Sequence, residues 1–277
     1  MEILIYGTIN SIALALMALG FALVYGISRV PNFAHGALYV ITGFIAWSLL
    51  RTLGLNYLLS IVLAIIAIGV VGALIYQFVL IRVRGMAISE IIASYAIGLA
   101  ILEGLRWGGF KGSTYTLPVF IEGSINIGDI PVDLHRILVV GIGVAVVIFL
   151  WLFTHYTRIG LALRGMAQDE RAALMLGIDS DVMAVVAMAS GAMLAGLAGI
   201  VLLPLGNIVV EKGYDVLIQA IAVCIVGGLG SWMGAVLAAF LIGFAQILTV
   251  VYLGAHFQII LRPSGLFGRQ KELEERV

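Results

Sequence analysis

Between Val216 and Leu261 the chain runs 46 residues without an Asp, Glu, Lys or Arg. Nothing that folds in water carries such a run, because its surface would lack the groups that solvate it. About 20 apolar residues cross the hydrocarbon core of a bilayer as a helix. This run therefore holds two segments, with Gly227-Gly228-Leu229-Gly230-Ser231 as the break between them. Further uncharged runs cover Ile3–Ser28, Val30–Leu50, Thr52–Ile81, Ile137–Thr157 and Val182–Val210. Another span, around Met86–Leu105, carries only Glu90 and Glu103. Composition agrees: 11% of residues are charged, against roughly 25% in soluble domains. Strands of a membrane barrel alternate in polarity, and these runs do not. Helices are the remaining way to satisfy the backbone in lipid. The expected fold is all-α, a polytopic transmembrane helical bundle with about eight membrane segments, one or more discontinuous or re-entrant. Residues 1–277 form a single domain, and Ile3–Ser28 reads as a retained span rather than a cleaved signal, which would have a basic start and a shorter apolar core.

The same residues exclude several function classes. Fifteen basic and 15 acidic side chains balance, so nothing points to nucleic acid. Cys224 is the single cysteine, which leaves no internal disulfide and no multi-cysteine metal site. No His-Glu-x-x-His, paired Asp or Ser/His constellation sits at membrane depth, so no catalytic or metal-binding residues are expected. A phosphate loop is also missing: Gly108-Gly109-Phe110-Lys111-Gly112-Ser113-Thr114 has similar composition but the wrong spacing. No cofactor is expected on this chain, and any ATP with its Mg²⁺ belongs to a partner.

Two connections are long. Residues 106–133, with Pro118 and Pro131, read as an external loop with turns. Residues 155–181 alternate charge with Ala-Ala and Leu-Met-Leu and read as a short amphipathic helix off the membrane. With the N-terminus outside, Arg29, Arg82, Arg84, Arg158, Arg164 and Arg171 fall on the cytoplasmic side with this segment, the sense favoured by basic residues. Eight crossings would leave the basic tail from Arg262 outside. Either one segment is re-entrant or residues are absent just before Arg262.

The core of the amphipathic segment runs Arg164-Gly165-Met166-Ala167-Gln168-Asp169-Glu170-Arg171-Ala172-Ala173-Leu174-Met175-Leu176-Gly177-Ile178. Its apolar face would hold Ala173, Leu174 and Leu176, and Gly177 would end it in a left-handed conformation. Such a helix serves either as a plain linker or as a plug for a groove on a soluble partner. Pro31–Gly36 is a candidate for a translocation path. Pro31 suits the first turn of a helix, whose free N–H groups and positive dipole end would face a substrate carboxylate. Asn32 and His35 add donors, unless His35 is satisfied by a neighbouring carbonyl. Gly227–Ser231 holds a comparable place in the second half, as a paired break or as a surface turn. Small residues at Ala187, Gly191, Ala195, Gly199 and at Ala235, Ala239, Gly243 let helices approach closely, inside one subunit or between two. Glu90 and Glu103 stand at the edges of their span, within reach of an interface. Asn10, Gln219 and Gln246 lie mid-span and suit helix–helix hydrogen bonds or substrate contact equally.

The run Arg-Gly-x-Ala-Gln-Asp-x-x-Ala-Ala-x-x-x-Gly-Ile resembles the cytoplasmic coupling segment of the branched-chain amino-acid ABC transporter permeases. Gly20–Gly26 through Asn32–Gly36 resembles the family's N-terminal signature. Gly191–Gly199, Gly227–Ser231 and Arg262-Pro263-Ser264-Gly265-Leu266-Phe267-Gly268 resemble its later ones. The order is right across nearly the whole chain. Two departures are visible: Arg171 stands where the family has Glu, and only a remnant of an apolar helix precedes Arg262. The resemblance implies a permease subunit of an ABC importer in a bacterial or archaeal cytoplasmic membrane. Its partners would be ABC ATPase subunits, a sister permease or second copy, an extracytoplasmic solute-binding protein and membrane lipid. It places Arg164, Ala167, Gln168, Asp169, Glu170, Ala172, Ala173 and Gly177 at the ATPase contact. Asn32, Phe33, His35, Gly36, Gly227, Gly228 and Gly230 would line the path. The implied substrates are branched-chain or other apolar amino acids, with urea or short amides as an alternative. A stand-alone channel or ion-coupled carrier would need mid-span charges, which are nearly absent.

Overall fold

A computed structural model describes residues 1–108, 115–128 and 130–253. Among the described residues ten α-helices follow one another: α1 (Glu2–Ser28), α2 (His35–Arg51), α3 (Tyr57–Val83), α4 (Ala87–Gly108), α5 (Leu134–Tyr156), α6 (Arg158–Gln168), α7 (Glu170–Met175), α8 (Ser180–Leu202), α9 (Glu211–Gly227) and α10 (Trp232–Leu253). Six of them, α1, α3, α4, α5, α8 and α10, are long and apolar enough to cross a membrane. Among the described residues the protein is an all-α membrane protein apart from one hairpin in the loop after α4 and an isolated bridge between Tyr115 and Ile208. In the hairpin β1 (Ser124–Ile127) pairs antiparallel with β2 (Ile130–Asp133), structure that turn residues alone did not announce.

Helix α2 and helix α9 have 17 residues each, about 25 Å at 1.5 Å per residue, short of a core about 30 Å thick. Both are nevertheless packed inside the bundle, α2 against α3, α4, α8 and α9, and α9 against α1, α2 and α10. Counting uncharged residues missed both starts. Pro31 lies upstream of α2 rather than in its first turn. Helix α9 begins at Glu211, and its charges are paired within reach, Glu211 with Arg106 at 2.9 Å and Lys212 with Asp215 at 4.0 Å.

Close approach at small residues holds the layers together, as van der Waals packing must where lipid removes the hydrophobic drive. Both small-residue stripes are used within the chain. A Cβ on Gly191 would strike Val24, one on Gly199 would meet Tyr39 O at 2.5 Å, and one on Gly243 would strike Ser11. Helix α10 lies antiparallel along α1, where Asn10 Nδ2 donates to Gln246 Oε1 at 2.8 Å and to Gly243 O at 3.2 Å. Cys224 is buried, with Sγ 3.7 Å from Ala18 O.

Side-chain contacts sort the charged residues onto two faces. Arg29 donates to Ala167 O, and Arg84 pairs with Glu170 and Asp181, so the end of α1, the end of α3 and the 155–181 segment share one face. Arg136 stacks over Tyr6 at 5.8 Å beside Asp133 on the opposite face. Helix α10 starts beside the first face, with Gly230 against Gly26, and reaches the level of Gly7 by Phe244, toward the start of α1. The question of the tail before Arg262 falls outside the described residues.

Candidate functional site

Chain geometry singles out the stretch between α1 and α2. Helix α1 ends at Ser28, and Arg29 closes it in the left-handed region at φ 56°. The chain then turns back into the bundle without helix, and α2 starts at His35 beside Met17 and Gly20 of α1. Those residues lie 8–11 positions before the end of α1, about 12–16 Å along its axis. Phe33 and Ala34 meet Gly98 at the middle of α4. The start of α2 thus sits near the mid-level of α1, α4 and α8.

Local bonds hold this break. Asn32 Oδ1 accepts from Ala34 N at 3.0 Å, Asn32 O accepts from His35 N at 3.2 Å, and Ser94 Oγ accepts from Phe33 N at 3.2 Å. The N–H groups of Phe33, Ala34 and His35 are therefore occupied by the chain itself. His35 is 1% exposed, has Nε2 2.8 Å from Met17 O and lies edge-on to Phe21 at 5.8 Å, so its polar reach is directed into α1. A Cβ on Gly36 would strike Gly213 O, which makes Gly36 the crossing point of α2 and α9. Phe33 is half-buried and lies edge-on to the exposed Tyr95 of α4 at 6.4 Å.

Gly227–Ser231 forms the tight turn between α9 and α10, with Gly228 at φ 88° and Gly230 at φ 90°, and Ser231 Oγ accepting from Gly234 N. Gly227 packs on Gly234 across this turn, and Gly230 on Gly26. Gly213 at the other breakpoint is 14 residues from Gly227 along α9, about 21 Å. The two glycine breaks thus lie at opposite ends of α9 and do not meet at one point.

The 155–181 segment is two helices rather than one. Asp169 ends α6 in extended conformation, and its carboxylate accepts from Ala172 N at 3.1 Å to cap α7. Gly177, at φ 82°, terminates α7, with Ile178 N bonded to Ala173 O. Only Ala173 of the expected apolar face packs inward, at 3% exposure. Leu174, Met175 and Leu176 project outward, Met175 at 90% and Leu176 at 82%. Ala167 lends its carbonyl to Arg29 and Glu170 its carboxylate to Arg84, so these two tie the segment to the bundle, while Gln168, Arg171 and Ala172 are exposed. Arg164 is half-buried in α6.

From sequence Arg84 counts only as one of the basic residues of the cytoplasmic side, with no role in a site. It joins Glu170 at 2.8 Å to Asp181 at the start of α8, beside a π-helical turn at Tyr76–Leu80. Burial opposes its charge, but Tyr76, Asp181 and Glu170 outweigh that and raise its pKa above the ordinary guanidinium value. Partners 86 and 97 residues away leave no local signal to find.

Residues 3–267 match the family described as branched-chain amino acid transport system, permease component. Among curated proteins, the high-affinity branched-chain amino acid transport system permease protein BraD of Pseudomonas aeruginosa is 28% identical over 92% of this chain and 91% of its own length. LivH of Escherichia coli K12 is 27% identical over 92% and 91%. The probable branched-chain amino acid transport permease LivH of Methanocaldococcus jannaschii is 30% identical over 90% and 81%. Among solved structures, PsaBC from Streptococcus pneumoniae in complex with Fab shares the fold, at TM-score 0.54 and 14% identity over 95% of this chain and 87% of that one. A multi-pass membrane permease, and so a transport component rather than an enzyme, the chain belongs to the permease-component family of branched-chain amino acid transport systems.

Proposed function

We propose that this chain is the membrane-spanning subunit of an ATP-driven importer that moves branched-chain or other apolar amino acids inward by alternating access. The observation that carries the reading is the start of α2 at mid-level beside Met17 and Gly98. Irregular backbone at membrane depth is tolerated where it is buried in protein or lines a cavity, and broken helices mark transporter sites. In this reading α2 and α9 are shortened membrane segments, which gives eight in all. The path passes Asn32, Phe33, His35 and Gly36, with Phe33 contacting substrate and the others shaping the break. Gly227, Gly228 and Gly230 act at its cytoplasmic mouth.

The 155–181 segment faces the cytoplasm, and Leu174, Met175 and Leu176 seat in a groove of an ABC ATPase subunit. That subunit supplies ATP and Mg²⁺, since this chain has no phosphate loop. A second permease copy or sister chain completes the pore, a solute-binding protein delivers substrate, and the assembly resides in the inner membrane. Reconstitution into vesicles with these partners tests the reading. Leucine uptake should require ATP and be displaced by isoleucine and valine. Uptake that proceeds without an ATPase subunit, or that urea displaces and isoleucine does not, refutes it.

A further inference from the structure

A cavity of about 390 Å³ lies on the coupling face, roofed by Met166 of α6 and Glu170 of α7 and walled by Ser28, Arg29, Tyr76 and Glu90. That is within the range of small-molecule sites. A smaller space of about 20 Å³ shares Ser28, Tyr76 and Glu90 and touches Pro31 and Asn32 of the break.

The ionic groups of the cavity do not cancel locally. Arg84 is taken by Glu170 and Asp181. Glu90 is 9% exposed, and among the described residues only its Oε1 has a hydrogen bond, from Gly85 N at 2.7 Å. Among the described residues no cation pairs with it, although a buried carboxylate is costly without a partner. Among the described residues Arg29 donates only to a backbone carbonyl, Ala167 O. One unpaired anion and one unpaired cation thus line one space, with Ile27, Met166 and Ala184 as apolar wall.

We propose that this cavity is a second site, separate from the path, for a molecule carrying a primary ammonium beside an anionic group: the ammonium sits on Glu90 Oε2 and the anion on Arg29. A free amino acid and an ethanolamine lipid headgroup share that chemistry. The apolar wall suits the aliphatic side chain of an amino acid, and this choice of ligand rests on the transport reading above. Because the occupant touches both α7 and the approach to the break, cytoplasmic product bound here slows further import.

The test uses the full transporter in phosphatidylcholine–phosphatidylglycerol nanodiscs, titrated with tritiated leucine without binding protein or nucleotide. Saturable binding is expected, weakened about tenfold or more by Glu90→Gln through loss of a charged hydrogen bond and unchanged by Glu103→Gln. Arg29→Gln, at an exposed position, gives the same loss if Glu90→Gln fails to fold. Absence of saturable binding, an unaffected Glu90→Gln and Arg29→Gln, or equal loss in Phe33→Ala overturns the proposal. So does displacement of leucine by added phosphatidylethanolamine, which would assign the cavity to the headgroup. In vesicles, leucine uptake that persists while these binding results fail refutes the second site alone.

Discussion

Gly20→Ala places a methyl where α1, α2 and α8 converge. Its Cβ would lie 2.5 Å from Gly191 O, 3.0 Å from His35 Cε1 and 3.1 Å from Leu194 Cβ. The nearest atom is backbone and cannot rotate away. Ordinary contact begins at 3.4 Å, so α8 must retreat by about 0.9 Å from α1. Overpacking of this kind costs about 1–3 kcal/mol, and Gly to Ala within a helix returns up to about 1 kcal/mol. Because the clash is with backbone, the upper part of that cost applies, about 2–3 kcal/mol, and a net loss of about 1–2 kcal/mol remains, or several degrees of thermal midpoint at about 2–4 °C per kcal/mol. Gly141 of α5 is the control, because its Cβ would meet nothing within 4 Å. Thermal unfolding in detergent, read by fluorescence-detected size exclusion, should rank Gly141→Ala at or above the native chain and Gly20→Ala below it. Equal midpoints for Gly20→Ala and the native chain would refute the packing at this junction.

Met175→Asp should leave the thermal midpoint unchanged, since Met175 is 90% exposed, yet abolish ATPase co-purification and leucine uptake; an ATPase that still co-purifies would remove the tip from the interface. His35→Leu removes the bond from Nε2 to Met17 O, a carbonyl that keeps its helical partner, and should cost about 0.5–1.5 kcal/mol in stability, with the KM for leucine unchanged among folded transporters; a raised KM at native stability would assign His35 to substrate contact. Asn10→Leu removes the bond to Gln246 and should lower stability by about 0.6 kcal/mol, the average for polar contacts between membrane helices; Gln246→Leu added to it should cost little more, and full additivity of the two would contradict the pairing. Arg84→Gln unties Glu170 from Asp181 and should lower transport per ATP hydrolysed while ATPase co-purification persists; unaltered coupling would make Arg84 a mere surface pair.

The spans were legible because lipid imposes one rule along the whole chain, the absence of charge. The same rule misplaced the starts of α2 and α9. A break inside an uncharged stretch, as at Val30–Ala34, leaves hydropathy unchanged, and paired charges such as Glu211 with Arg106 enter a helix whose start the rule had placed at Val216. Gly177 could be read as a helix end because a left-handed terminus favours glycine in any context. The split at Asp169 was harder to see, since the same carboxylate would suit a charged first turn. Asn32 and His35 looked like free donors, but in the fold the Asn32 side-chain carbonyl oxygen accepts within the break, from Ala34 N, and His35 Nε2 is turned onto Met17 O of α1. The grip of Arg84 depends wholly on tertiary placement.

The central claim, that Phe33 borders a path gated by the ATPase, is open to one direct measurement. A Phe33→Cys chain in a Cys224→Ser background, assembled with its partners in vesicles, can be modified by membrane-impermeant thiol reagents applied from either side. The account predicts that residue 33 reacts, that leucine protects it, and that ATP changes the side of access only when the ATPase subunit is present. A residue 33 that stays unreactive from both sides in every nucleotide state, or whose reactivity ignores leucine and ATP alike, would contradict it.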